Sequence, residues 1–236
     1  MGMLSYGRRL ATVVTETSLL VSALDGADLS VAVRSRPGWT LNQLLRHLGF
    51  AHRSIGAAHA VEGYAGETPA QLAPWLTEGA ALFGKTLREA PLDEPLGPAF
   101  WSRRMAHETW MHRFTAFEAL GLPFAVEPDV AWDGLWEWMN SSFPLHAERP
   151  AVTELLGHGH KLRFFASDYD TASNRWTVDL TGSTPVVKRD AKERCTVYVR
   201  APVADLVLTL NGRRVPARSE VTGDKALLRE FLYAVN

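Results

Sequence analysis

The hydrophobic period of this chain changes once, near Arg149-Pro150, and that change limits the folds open to it. Upstream, apolar residues recur at helical spacing, as in Leu41, Leu44, Leu45 and Leu48. Downstream, short runs rich in β-branched and aromatic residues alternate with turn formers: Leu162–Ala166, Arg175–Leu180, Pro185–Lys188 and Cys195–Arg200. One period of 3.6 and one of 2 in the same chain predict a helical domain over 1–150 and a small α+β domain over 151–236.

Punctuation divides the first part into helices. One is expected over 3–25, ending at Asp25-Gly26, and a second opens at Thr40 as N-cap and runs to about Glu62. Thr68-Pro69 starts a third that ends near Ala90-Pro91, since proline suits the first helical position. A fourth spans 98–120 and stops at Gly121-Leu122-Pro123, and a tryptophan-rich helix covers Trp132 to His146. In the second part, helices are expected over 201–210 and 224–234.

Composition removes several function classes. With 25 basic and 26 acidic side chains, the net charge of -1 gives no footprint for nucleic acid and no attraction to anionic membranes. No run approaches the roughly 18 apolar residues of a membrane span. The one cysteine, Cys195, allows no intramolecular disulfide and fits a reducing compartment, so a cytoplasmic location is expected. Cys195 lies in an expected strand with no histidine at useful spacing, which reads as a buried structural thiol rather than a nucleophile.

The chemistry-bearing residues sit on the fourth and second helices. Glu108 and His112 are four apart, hence one turn above each other, on a face continued by Trp101, Met105, Ala116 and Ala119. A carboxylate on such a face must be paired, protonated or metal-bound. A surface or capping pair is the plain alternative. His47 lies at the edge of the leucine stripe, where it is either a satisfied boundary histidine or a third ligand facing that pair across two helices. Two imidazoles and a carboxylate form an open, borderline-type site for a divalent ion, zinc first, with nickel or cobalt as alternatives. His52, His59, His107, His146, His158 and His160 lack a helical partner at ligand spacing or rotate off the face.

These positions also carry a resemblance. Pro37-Gly38-Trp39-Thr40 with Leu44-Leu45-Arg46-His47-Leu48, and the block Arg104 to Leu120, are similar to the two ligand blocks of the mycothiol-dependent maleylpyruvate isomerase family, part of the DinB-like bundles. Arg175-Trp176-Thr177-Val178, Ala204–Leu208 with Gly212-Arg213, and Val221–Leu227 resemble that family's C-terminal domain. The resemblance implies an up-down four-helix bundle followed by a small α+β domain, with His47, Glu108 and His112 as metal ligands. It further implies mycothiol as a low-molecular-weight thiol cosubstrate, a small electrophilic substrate, and Arg213 as the arginine that holds substrate carboxylates. One departure is Thr115, where many relatives carry aspartate after an Arg-aromatic pair.

The expected activity is therefore that of a metal- and thiol-dependent enzyme, either a cis-trans isomerase of a maleylpyruvate-like substrate or an S-transferase. The competing reading is a non-catalytic protein that holds a hydrophobic metabolite against Trp132, Trp136 and Trp138, with a vestigial or structural metal. The sequence leaves the oligomeric state open.

Overall fold

The computed structural model describes residues 3–56, 68–90, 97–168, 174–213 and 219–236. His59 and the stretch of the second expected helix beyond Gly56 lie outside them. By internal contacts the chain forms two units, Leu4–Val126 and a second made of Met1–Met3 with Glu127–Asn236.

The first unit is a bundle of α1 (Tyr6–Ser22), α2 (Leu41–Gly56), α3 (Pro69–Glu89) and α4 (Pro98–Ala119). Two of its helices begin with reciprocal caps. The Thr40 backbone N–H donates to Gln43 Oε1 at 2.8 Å while Gln43 N donates to Thr40 Oγ1 at 3.4 Å. At α3 the Thr68 N–H donates to Gln71 Oε1 at 3.2 Å, and Pro69 occupies a position with no helical donor to lose. Packing does not follow chain order: α1 lies against α3 and α4, and so does α2. The segment from α1 to α2 therefore has to cross the bundle, and a β-bridge between Ala32 and Thr40 pins it. The leucine stripe Leu41, Leu44, Leu45 and Leu48 is at most 1% exposed and meets Leu76, Phe83 and Met105 in the core. Gly49 permits the close approach of α2 and α3, since a Cβ there would fall 1.9 Å from the Trp75 ring.

A charged pair crosses this core. Arg113 Nε on α4 donates to Glu16 Oε2 on α1 at 2.6 Å, and Arg113 Nη2 donates to the Ala125 carbonyl at 2.6 Å. Both side chains are nearly inaccessible, and the guanidinium also lies 4.4 Å from the Phe124 ring centroid.

The second unit is a five-stranded sheet with helices. β1 (Lys161–Ala166), β2 (Arg175–Asp179), β3 (Val186–Arg189), β4 (Val197–Ala201) and β5 (Glu220–Gly223) lie in the order β3-β2-β1-β4-β5. β1 and β4 are parallel and the other neighbours antiparallel. Alternation decides the faces: Leu162, Phe164, Val197 and Val199 are buried, and α8 (Val203–Leu210) and α9 (Lys225–Val235) pack on the sheet. Phe231 of α9 lies 6.1 Å from Phe164.

The four strands expected from the sequence are present within two residues at each end; β5 was not among them. It is a short edge strand, Glu-Val-Thr-Gly, with too few alternations to register as one. Its glycine has a reason. Gly223 has φ of +95° and a Cβ would sit 2.1 Å from the Thr196 carbonyl oxygen.

The tryptophan-rich helix differs from expectation in two ways. It starts at Pro128, and α5 (Pro128–Glu137) gives way to a π-helical turn over Trp138–Ser142 before α6 (Phe143–His146). Pro144 accounts for the widening, because it has no N–H to give and its ring crowds the preceding turn. The segment also belongs by contacts to the second unit, where α5 packs on α8, followed by α7 (Pro150–Thr153). The change of period near residue 150 thus lies inside this unit rather than at its edge, because a helix that covers a sheet carries the same apolar stripe as a bundle helix.

Candidate metal centre

Helix α2 supplies one wall of a cleft of about 240 Å³ and α4 the other; His47, Leu48 and Ala51 line it with Trp101, Glu108 and His112, and Arg36 and Arg104 border it. His47 and His112, 65 positions apart in the chain by their numbers, bring their ring centroids to 5.4 Å. The edge of Trp39 meets the His47 ring at 5.4 Å, so the conspicuous Pro-Gly-Trp turn before α2 buttresses the imidazole.

His112 is 2% exposed, and its Nδ1 lies 2.6 Å from the Glu108 carbonyl, the acceptor one turn back. That bond places the proton on Nδ1 and directs the basic lone pair to Nε2. Glu108 Oε2 approaches Nδ1 to 3.4 Å, and Oε1 pairs with Arg104 one turn earlier on α4. Three sequence-predicted ligands, His47, Glu108 and His112, therefore share one cleft.

As a test of metal fit, the donor types suit a divalent ion of borderline character: two imidazoles and one carboxylate, with positions left for exchangeable ligands. Their placement is open. Among the described residues, no three His, Cys, Asp or Glu side chains converge closely enough to clasp an ion, and Arg104 engages the Glu108 carboxylate. His52, which the sequence reading set aside, lies close enough to His112 to interact with it electrostatically. It is fully buried, bonded through Nε2 to Thr109 Oγ1 at 2.9 Å, and ties α2 to α4.

Burial first, and then the neighbouring His112 and Arg53, hold the His52 imidazole down to a pKa of about 3. It is neutral in the folded protein, whereas an unfolded histidine charges below about 6.5. The unfolded state thus binds the extra proton between these values. Stability is lost as pH falls through that window, by at most about 1.4 kcal/mol per unit. The bundle should therefore lose roughly 2–3 kcal/mol more between pH 6.5 and 4.5 in the wild type than in His52→Leu, followed by denaturant unfolding. Identical acid limbs in the two proteins would remove His52 as the cause.

The remaining candidates separate cleanly. His107 is buried and accepts from Trp110 Nε1 at 3.3 Å, and His158 is exposed with its ring 5.9 Å from His160. Cys195 is buried, burial pushes its thiol pKa up, and its Sγ contacts the Glu193 carbonyl at 3.6 Å. Arg213 follows the end of α8 in the second unit, its N–H bonded to the Leu208 carbonyl at 2.8 Å. Trp132 and Trp138 belong to the packed interior of that unit: Trp138 stacks on Phe143 at 5.3 Å and Trp132 meets Trp176 at 6.4 Å. Among the described residues no helix is long and apolar enough to cross a membrane.

Residues 10–116 match the model of the mycothiol maleylpyruvate isomerase N-terminal domain, a span that contains His47, Glu108 and His112. No curated protein matches the chain. Among solved structures, a crystal structure of the mycothiol-dependent maleylpyruvate isomerase is similar, with a TM-score of 0.61 at 15% identity over 94% of this chain and 96% of that one. A histidine-to-alanine mutant of that isomerase aligns with a TM-score of 0.56 at 15% identity over 94% and 96%. At this identity the two likenesses are likenesses of fold. They extend over both units, beyond the span of the family model.

Proposed function

We propose that this chain, which belongs through residues 10–116 to the mycothiol maleylpyruvate isomerase N-terminal domain family, is a metal- and mycothiol-dependent isomerase of a small cis-unsaturated acid. The observation that supports this reading is the meeting of His47 and His112 at 5.4 Å in the cleft that Glu108 also lines. His47, Glu108 and His112 would hold the ion, zinc first, with nickel or cobalt as alternatives. An ion held by these three residues would lower the pKa of a coordinated thiol and so supply a thiolate at neutral pH.

The chain's own residues do the remaining tasks. The Glu108 carbonyl fixes the His112 tautomer, and the Trp39 edge fixes the His47 ring. Arg36, its guanidinium 4.8 Å from the Trp39 ring, and Arg104 place two cations on the cleft, where planar donors suit substrate carboxylates. Leu48, Ala51 and Ile55 make the adjoining wall apolar, a surface against which the carbon skeleton of a thiol or substrate would rest. Arg213 is assigned to substrate carboxylate binding through the family resemblance alone. Cys195, buried and protonated, takes no part.

The thiol adds to the double bond, the adduct rotates about the resulting single bond, and elimination returns the thiol with the trans product, so no electrons are gained or lost. The test is loss of maleylpyruvate absorbance with chelator-treated protein, with zinc and mycothiol added back singly and together. Turnover only with both is expected. A stable thioether product would move the assignment to S-transfer, and turnover without thiol would overturn it. Ligand affinity with neither, and no turnover, would favour a binding protein.

A further inference from the structure

A second cleft lies on the face of the sheet that α8 and α9 do not cover. It measures about 320 Å³ and is lined by Arg163, Phe165, Arg175, Tyr198, Arg200 and Glu220, among others. Strand register builds it. Phe165 of β1 pairs across to Arg175 of β2 on one side and to Arg200 of β4 on the other. Both guanidinium carbons come within 5.5 Å of the Phe165 ring centroid. In the next row, Arg163 stands between Thr177 and Tyr198, with its guanidinium carbon 5.5 Å from the tyrosine ring.

Three guanidiniums are thus gathered round two aromatic rings. Glu220 is the carboxylate in this lining, and it pairs with Arg200 at 3.1 Å. That pair is exposed and contributes little. The acids further along the same face are already engaged: Asp179 and Glu193 both bind Lys161 and Lys188. Arg163 is held in place from below, with Nη2 bonded to the Glu193 carbonyl at 2.7 Å and Nε to Thr177 Oγ1 at 3.2 Å. Arg175 has no carboxylate partner among the described residues. The lining therefore carries a local positive excess on a chain whose net charge is -1.

We infer that this cleft binds a small flat polyanion: a conjugated or aromatic acid bearing two or more carboxylate or phosphate groups. The charge follows from three guanidiniums facing one carboxylate, since an added anion relieves their mutual repulsion and can bond two of them bidentately. The flatness follows from the walls, because guanidinium planes and the Phe165 and Tyr198 rings offer stacking surfaces. The site lies wholly within the second unit and uses none of the residues of the metal cleft.

The probe is trimesate, titrated calorimetrically into chelator-treated full-length protein, so that no metal ion serves as the anion's acceptor. Citrate, equally charged but not flat, and the neutral triamide of trimesate are titrated beside it. Trimesate should bind about tenfold more tightly than either, and weaken about tenfold in Arg175→Gln and in Arg200→Gln. Arg36→Gln should bind it like the wild type. All three positions are surface or cleft arginines, and unchanged thermal unfolding of each variant keeps the comparison valid. Absence of trimesate binding, equal binding of citrate, or loss in Arg36→Gln with retention in Arg175→Gln would each overturn the inference.

Discussion

Protein carrying His112→Ala is expected to take up no zinc under conditions that load the wild type to near one equivalent. The imidazole is 2% exposed and fixed by the Glu108 carbonyl, so its removal leaves a small cavity that no neighbouring donor fills. Loss of a partner that merely orients a ligand costs about 10–100-fold in affinity, and loss of a ligand itself should cost at least the upper figure. His47→Ala should behave alike, since the cleft would keep only one imidazole and a carboxylate already shared with Arg104. His158→Ala, at an exposed histidine, is the control and should load fully. The measurement is elemental mass spectrometry on desalted protein after zinc loading, with thermal unfolding in parallel. Full metal content in both His47→Ala and His112→Ala would sink the ligand assignment, whatever the activity.

The largest effect on stability is expected at Glu16. Its carboxylate accepts from Arg113 Nε at 2.6 Å with both side chains almost wholly buried. Glu16→Ala leaves a guanidinium in the bundle core with its second bond, to the Ala125 carbonyl, intact but its charge uncompensated. Breaking such a pair from one side costs about 3–5 kcal/mol. For a unit of this size that lowers the unfolding midpoint by roughly 10–20 °C. Replacing both partners by apolar residues of similar volume, Glu16→Leu with Arg113→Met, should recover most of the loss, because the desolvation of two charges disappears with them. Calorimetric unfolding of the single and double variants decides it. A single variant within about 1 kcal/mol of wild type would mean that water reaches the pair.

The pair also illustrates why parts of the site stayed hidden in the sequence. Nothing within a turn of Arg113 offers it a carboxylate, since residues 109–117 contain no acid. The structure brings one to Arg113 from α1, 97 positions away. Contacts of that range depend on which helices are neighbours, and here α1 adjoins α4 rather than α2. His52 is a similar case. Helical phase turns it away from His47, but only the packing of α2 on α4 gives it Thr109 and full burial.

Local rules sufficed for much else. Thr40, Thr68-Pro69 and Gly121 mark helix ends because capping and left-handed backbone are properties of a few consecutive residues. The four-residue spacing of Glu108 and His112 put them on one side of the fourth helix, the edge of the leucine stripe offered His47 as a possible third ligand, and the family resemblance implied the three as a set. By itself the sequence determined the bundle helices, four of the five strands, the capped starts of α2 and α3, and the residue types available for a metal, since these depend on period and on neighbours within a turn. Only the tertiary structure decided that His47 meets His112, that Arg104 holds Glu108, and that Pro128–His146 packs with the sheet. Those outcomes depend on which apolar faces bury one another, and an apolar stripe does not name its partner.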